Sequence, residues 1–172
     1  SAGYQMQAEQ SWPALLNEKW QQQGGEHRLI NASISGETTQ GGLARLPTLL
    51  EEHKPDWVLI ELGANDGLRG FAPAITRANL TKMVELAKAS QAKTVLTQIQ
   101  LPRNYGARYL QQFEQIFPEL AQANDLPLMP FFIDDIVLRP ELMMNDGLHP
   151  TAAAQPQIRD RVARFIEPLL TQ

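Results

Sequence analysis

Apolar residues gather in two kinds of stretch along the chain. Four short runs are rich in β-branched or aromatic residues: "HRLIN" (27–31), "DWVLIEL" (56–62), "KTVLTQI" (93–99) and "LPLMPFF" (126–132). Runs of this length and composition predict buried strands. Longer stretches between them space their apolar residues by three and four. "SWPALLNEKWQQQ" opens on Ser11 as an expected N-cap with Pro13 in the first turn. "TQGGLARLPTLLEEHK" carries Leu43, Leu46, Leu49 and Leu50. "TRANLTKMVELAKASQ" carries Leu80, Met83, Val84 and Leu86. "ARYLQQFEQIFPELAQAN" and "TAAAQPQIRDRVARFIEPLL" repeat the pattern. This spacing predicts helices with one apolar face. Strands alternating with helices predict an α/β fold, with a parallel sheet covered by helices on both faces.

The order lacks its start. A loop-like "SAGYQMQ" and then a helix come first, and no strand precedes them. Doubly wound folds place their first strand inside the sheet. The expectation is a small sheet, or a chain that continues upstream by one strand and its turn, roughly ten residues.

A length of 172 residues fits a single domain spanning 1–172. With 43% hydrophobic and 20% charged residues, the composition is that of an ordinary globular protein. Fifteen basic residues are scattered among 19 acidic ones, for a net charge of −4, which argues against a nucleic-acid partner. No apolar run reaches the ~18 residues of a membrane span. Without cysteine there are neither disulfides nor thiolate metal sites. A metal site needs three or more ligands, and His27 and His53 sit on element flanks with no clear partner, so none is expected.

In open parallel sheets the site forms at the C-terminal ends of the strands. Four segments are expected there: "NASISGETTQGG", "GANDGLRGF", "QLPRNYGARY" and "NDGLHP". In the last, Asp146 stands three residues before His149, with Gly147 between. A carboxylate bonded to one imidazole nitrogen fixes the tautomer and frees the other nitrogen as a base. The alternative is an Asp that caps the next helix beside a solvated His. In "GAND", Gly63 permits a sharp strand exit, and the Asn65 amide could donate to an oxyanion. Alternatively Asn65 and Asp66 bond their own turn, and Asp66 in particular is suited to holding that turn. Gly36 could offer a backbone N–H to the same oxyanion, or simply belong to a helix start.

Taken in order, Gly36, Asn65 within Gly-x-Asn-Asp, and Asp146-x-x-His149 resemble blocks II, III and V of the SGNH (GDSL) hydrolase superfamily. "INASISGET", "LARLPTLL", "WVLIELGANDGLRGF", "LPRNYGARY" and "DGLHP" resemble its bacterial thioesterase I, lysophospholipase L1 and arylesterase group over essentially the whole chain. The resemblance implies a three-layer α/β/α flavodoxin-like fold. That group typically reads Gly-Asp-Ser-Leu-Ser-Ala-Gly-Tyr at the end of its first strand. Ser1 of "SAGY" therefore matches the serine two places after the nucleophile, and the nucleophile is expected upstream of Ser1. Ser33, Ser35 or Ser1 itself could stand in, although no Gly-x-Ser-x-Gly elbow is present.

The resemblance implies an esterase and thioesterase acting on short-to-medium acyl esters, acyl thioesters and lysophospholipids through an acyl-enzyme. His149 would be the base and Asp146 its orienter, with Gly36 and Asn65 in the oxyanion hole. No metal or organic cofactor is implied. Leu68, Phe71, Leu101, Pro102 and Tyr105 are candidates for an acyl groove, or else pack loop on loop. Arg69 and Arg103 could meet a phosphate, or be solvated loop charges. The partner is a small-molecule substrate. The expected state is a monomer without stable membrane insertion, and the expected location is periplasmic or secreted. Two alternatives remain: a scaffold of this fold that lacks its nucleophile and binds acyl or glycan ligands without turnover, and a carbohydrate O-acetyl esterase.

Overall fold

Three of the four apolar runs form strands. The computed structural model describes residues 1–172. In chain order its main elements are α1 (Trp12–Gln22), α2 (Thr39–His53), β1 (Trp57–Ile60), α3 (Ala64–Leu68), α4 (Pro73–Ala89), β2 (Lys93–Thr97), α5 (Ala107–Glu114), α6 (Ile116–Asn124), β3 (Leu128–Met129) and α7 (Gln155–Leu170). The strands make one parallel sheet in the order β1-β2-β3. Trp57 stands opposite Lys93, and Leu96 opposite Leu128. This is the expected α/β class with a parallel sheet.

The chain divides into two compact units, residues 36–131 and residues 1–35 with 132–172. In the unit 36–131, β2 is the middle strand and is buried from Thr94 to Thr97, as parallel strands covered by helices are. Helices α4 and α6 lie against it. The core gathers Ile60, Leu80, Leu96, Phe113 and Phe117, each 2% exposed or less. Helix α2 comes close to the end of β1 because Gly42 has no side chain: a Cβ there would stand 2.3 Å from Leu62 Cδ1.

In the other unit, α1 packs on α7. Trp12, Leu16 and Trp20 form the buried stripe of α1, and Ile158, Val162 and Ile166 that of α7. Two side-chain bonds join the ends of the pair. The Trp12 N–H, an orphan donor of the first turn, donates to Gln155 Oε1 at 3.0 Å. Trp20 Nε1 donates to Glu167 Oε1 at 2.9 Å.

Three expectations are corrected. Residues 27–31 are extended but not a strand. Their ladder groups have other partners: the Leu29 N–H donates to Asn17 Oδ1 at 2.7 Å, and its carbonyl accepts from Asn17 Nδ2 at 2.6 Å. Helix 107–124 is broken at Gln115. Pro118 has no N–H for the Glu114 carbonyl four residues back, and that carbonyl accepts from Gln98 Nε2 instead, at 3.1 Å. Ser11 does precede α1, but its hydroxyl makes no cap bond and donates back to the Ala8 carbonyl at 2.8 Å. No helix is long and apolar enough to cross a membrane.

Candidate active site

The segment 142–151 folds back on itself. Met143 and Pro150 form an antiparallel bridge. The Met144 N–H donates to the His149 carbonyl at 2.7 Å, and the Thr151 N–H to the Leu142 carbonyl at 2.8 Å. Gly147, with φ of +68°, turns the tip. Asp146 fastens this loop from inside. Its Oδ1 accepts from the N–H groups of Leu148 (2.9 Å) and His149 (3.0 Å). Its Oδ2 meets His149 Nδ1 at 2.6 Å.

The His149 bond first, and the two backbone N–H groups after it, hold the Asp146 carboxyl down at about 2, from an ordinary 3.8. An ionised carboxylate can only accept, so Nδ1 carries a proton, and in the neutral imidazole that places the lone pair on Nε2. The pair sequence reasoning singled out is brought together, in the geometry of a base and its orienter.

A second constellation lies in the unit 36–131. Gly63 ends the β1 exit with φ of +123°, a region side chains rarely adopt. The turn starts α3 and places Asn65 in its first turn. Asn65 Nδ2 donates to the Glu37 carbonyl at 3.0 Å, and its second N–H remains for another acceptor. Gly36, the residue before, has φ of +77° and open space where a Cβ would stand. The structure thus brings the Asn65 amide to the residue that follows Gly36.

Asp66 is 1% exposed. It accepts from the Thr39 N–H (2.8 Å), the Thr39 hydroxyl (2.5 Å) and the Thr76 hydroxyl (2.8 Å). It therefore ties α3 to the first residue of α2 and to α4. Glu37 is held too, by Arg45 Nε at 2.8 Å and a second guanidinium nitrogen at 2.6 Å.

The groove candidates fall in the same unit and divide by exposure. Phe71 and Pro102 are exposed, and Leu68 and Tyr105 half-buried. Leu101 is 4% exposed and lies beneath Gly67, where a Cβ would come within 2.5 Å of it. Two tyrosines hold the "GLRGF" loop by its carbonyls: Tyr105 donates to Leu68 (2.9 Å) and Tyr109 to Phe71 (2.6 Å). Arg103 is engaged by Glu114 at 2.7 Å and by the Leu101 carbonyl, while Arg69 is exposed.

Of the stand-in nucleophiles, Ser33 and Ser35 are exposed, and the Ser1 hydroxyl accepts from Trp12 Nε1 at 2.9 Å. His27 packs edge-on against Trp20, with ring centroids 5.7 Å apart.

Sequence reasoning missed four participants: the Thr39 and Thr76 hydroxyls on Asp66, the Arg45 clamp on Glu37, and Tyr4, whose ring stacks on His149. The Thr–Asp and Tyr–His contacts join residues far apart in sequence, which no local pattern reports. The Glu37–Arg45 spacing of eight crosses a helix start and is equally silent.

A family model described as the GDSL-like Lipase/Acylhydrolase family matches residues 1–155, running through both compact units. The chain is 52% identical over 170 residues to Thioesterase 1/protease 1/lysophospholipase L1 of Escherichia coli K12, covering 99% of this chain and 80% of that protein. It is 54% identical over 164 residues to the arylesterase of Vibrio mimicus, covering 95% and 82%. Among solved structures, the psychrotrophic esterase EstA of Pseudoalteromonas sp., in a form inhibited by monoethylphosphonate, superposes with a TM-score of 0.97. It is 46% identical, and the match covers 100% of this chain and 94% of that one.

Proposed function

This chain belongs to the GDSL-like lipase/acylhydrolase family, and on that premise we propose that it hydrolyses short-to-medium acyl esters and thioesters, lysophospholipids among them, through an acyl-enzyme. The observation that carries this reading is the 2.6 Å bond between Asp146 and His149 Nδ1, which leaves Nε2 as the base. The attacking serine is the one the family's Gly-Asp-Ser-Leu block supplies, two places ahead of the position Ser1 matches. His149 Nε2 takes its proton as the hydroxyl attacks the acyl carbonyl, and later gives it to the leaving alcohol or thiol.

Asp146 stays ionised and stabilises the imidazolium. The Gly36 N–H and the free N–H of Asn65 donate to the developing oxyanion. Water then attacks the acyl-enzyme, with His149 again as base. No step requires a metal or organic cofactor. Leu68, Phe71, Pro102 and Tyr105 receive the acyl chain, with Leu101 as packing beneath their loops. The two units work as one hydrolase domain, since the family pattern draws on both. The working form is a monomer, exported to the periplasm or beyond.

A panel of p-nitrophenyl esters and acyl thioesters of graded chain length tests this, with His149→Ala as control. Turnover of both bond types, fastest on short-to-medium chains and lost in H149A, is the expected result. Binding of acyl ligands without turnover by the wild-type protein would overturn it.

A further inference from the structure

We propose that Tyr4 is a positioning residue for the base: its ring, stacked on the His149 imidazole, holds that imidazole in the orientation that pairs it with Asp146. The proposal rests on the reading of His149 as the base. The two ring centroids are 4.2 Å apart and the planes 26° from parallel, the geometry of an offset aromatic pair.

The imidazole needs such a contact. Its side chain is 42% exposed, so burial does not lock it. The covalent bond at Cγ and one hydrogen bond, from Nδ1 to Asp146, hold one edge of the ring and leave the far edge, with Nε2, room to tilt. A flat surface against the ring face removes the tilt, and Nε2 then points in one direction. A base fixed this way is already in the orientation the proton transfer needs.

The chain is built to deliver that surface. Gly3 has φ of +74° and Gln5 of +53°, and the Met6 N–H closes a turn on the Gly3 carbonyl at 3.1 Å. Tyr4 sits inside this turn. A left-handed glutamine is sparsely populated and persists only where its surroundings hold it. The start of the segment is pinned as well: Trp12 Nε1 donates to the Ser1 hydroxyl, and Asn31 Nδ2 to the Ser1 carbonyl, both at 2.9 Å. The Tyr4 hydroxyl accepts only from its neighbour Gln5, at 3.2 Å. What reaches His149 is therefore the ring and not the hydroxyl, and phenylalanine should do the same work.

The test compares Tyr4→Phe and Tyr4→Ala with wild type by two readouts. The first is the NMR position of the His149 ring protons, assigned by their loss in His149→Ala. The second is kcat and KM on a soluble p-nitrophenyl ester. The expected result is that Y4A moves the ring protons downfield and lowers kcat by about three- to tenfold, the range a stacked aromatic pair carries, with KM essentially unchanged. Y4F keeps both near wild type.

The proposal is overturned if Y4A leaves the ring protons or kcat as in wild type, or if Y4F loses activity as fully as Y4A. Should Y4A fail to fold, Tyr4→Leu, which fills the space without an aromatic face, is read in the same way. If H149A itself keeps esterase activity, the assignment of the base falls, while the ring-proton comparison still reports the stack.

Discussion

The Asp146 carboxylate receives the His149 imidazole on one oxygen, at 2.6 Å, and the backbone N–H groups of Leu148 and His149 on the other. One side chain thus shapes the loop and holds the imidazole proposed as the base. Replacing Asp146 with Asn puts an amide where the ring nitrogen needs an acceptor. We expect kcat to fall by about 10⁴-fold, as loss of the correct tautomer does in the serine-protease triad, with KM little changed in steady-state assays.

The depressed Asp146 carboxyl fixes a sign for the pH dependence. Its folded value, about 2, lies below the ordinary 3.8, so the unfolded chain binds the proton more readily. The stability this group contributes is present above about pH 4 and is lost as pH falls through 2. Denaturant midpoints of wild type and Asp146→Asn should therefore converge between pH 4 and 2. In the activity profile no separate limb from Asp146 should appear above about pH 3.

On the proposed mechanism, Asn65→Ala removes an oxyanion donor, and it leaves the Glu37 carbonyl without its partner. Loss of one such donor costs about 3 kcal/mol of transition-state stabilisation, or 10²–10³-fold in kcat. The loss should fall on kcat and spare KM, since the amide meets an oxygen that carries charge only in the transition state.

Arg45→Ala frees Glu37, whose carbonyl orients Asn65. A partly exposed ion pair is worth at most about 1 kcal/mol of stability, a few degrees in melting temperature for a chain of this size. We expect a several-fold fall in kcat beyond that small shift, and Arg45→Lys should restore part of it.

The site and the fold were legible where the signal is local. The runs at 56–62 and 93–99 read as strands because β-branched residues cluster there, and they are strands. Asp146 and His149 read as a pair because three residues with a glycine between them bring the side chains together without help from the rest of the chain. Residues 27–31 carry the same apolar signature, yet a strand also needs a paired neighbour, and Asn17 occupies the backbone of Leu29. Pro118 was visible in the sequence, but the helix pattern around it is strong enough to hide the break at Gln115. The stacking of Tyr4 on His149, joining residues far apart in the sequence, leaves no trace in composition or period.

Gly63 was legible as a strand exit, and its cost can be measured. A Cβ there would meet Phe117 Cζ at 3.0 Å with φ at +123°. Gly63→Ala should destabilise by about 1–3 kcal/mol, from backbone strain and overpacking together. Chemical denaturation would show it as a lowered midpoint with an unchanged slope.

The central claim is that His149 activates a serine two places ahead of the position Ser1 matches. Labelling the purified protein with a fluorophosphonate and mapping the adduct by peptide mass spectrometry tests it most directly. The account predicts one adduct, on a serine upstream of "SAGY", lost in His149→Ala. An adduct on Ser1, Ser33 or Ser35, or no adduct on a folded protein, would contradict it.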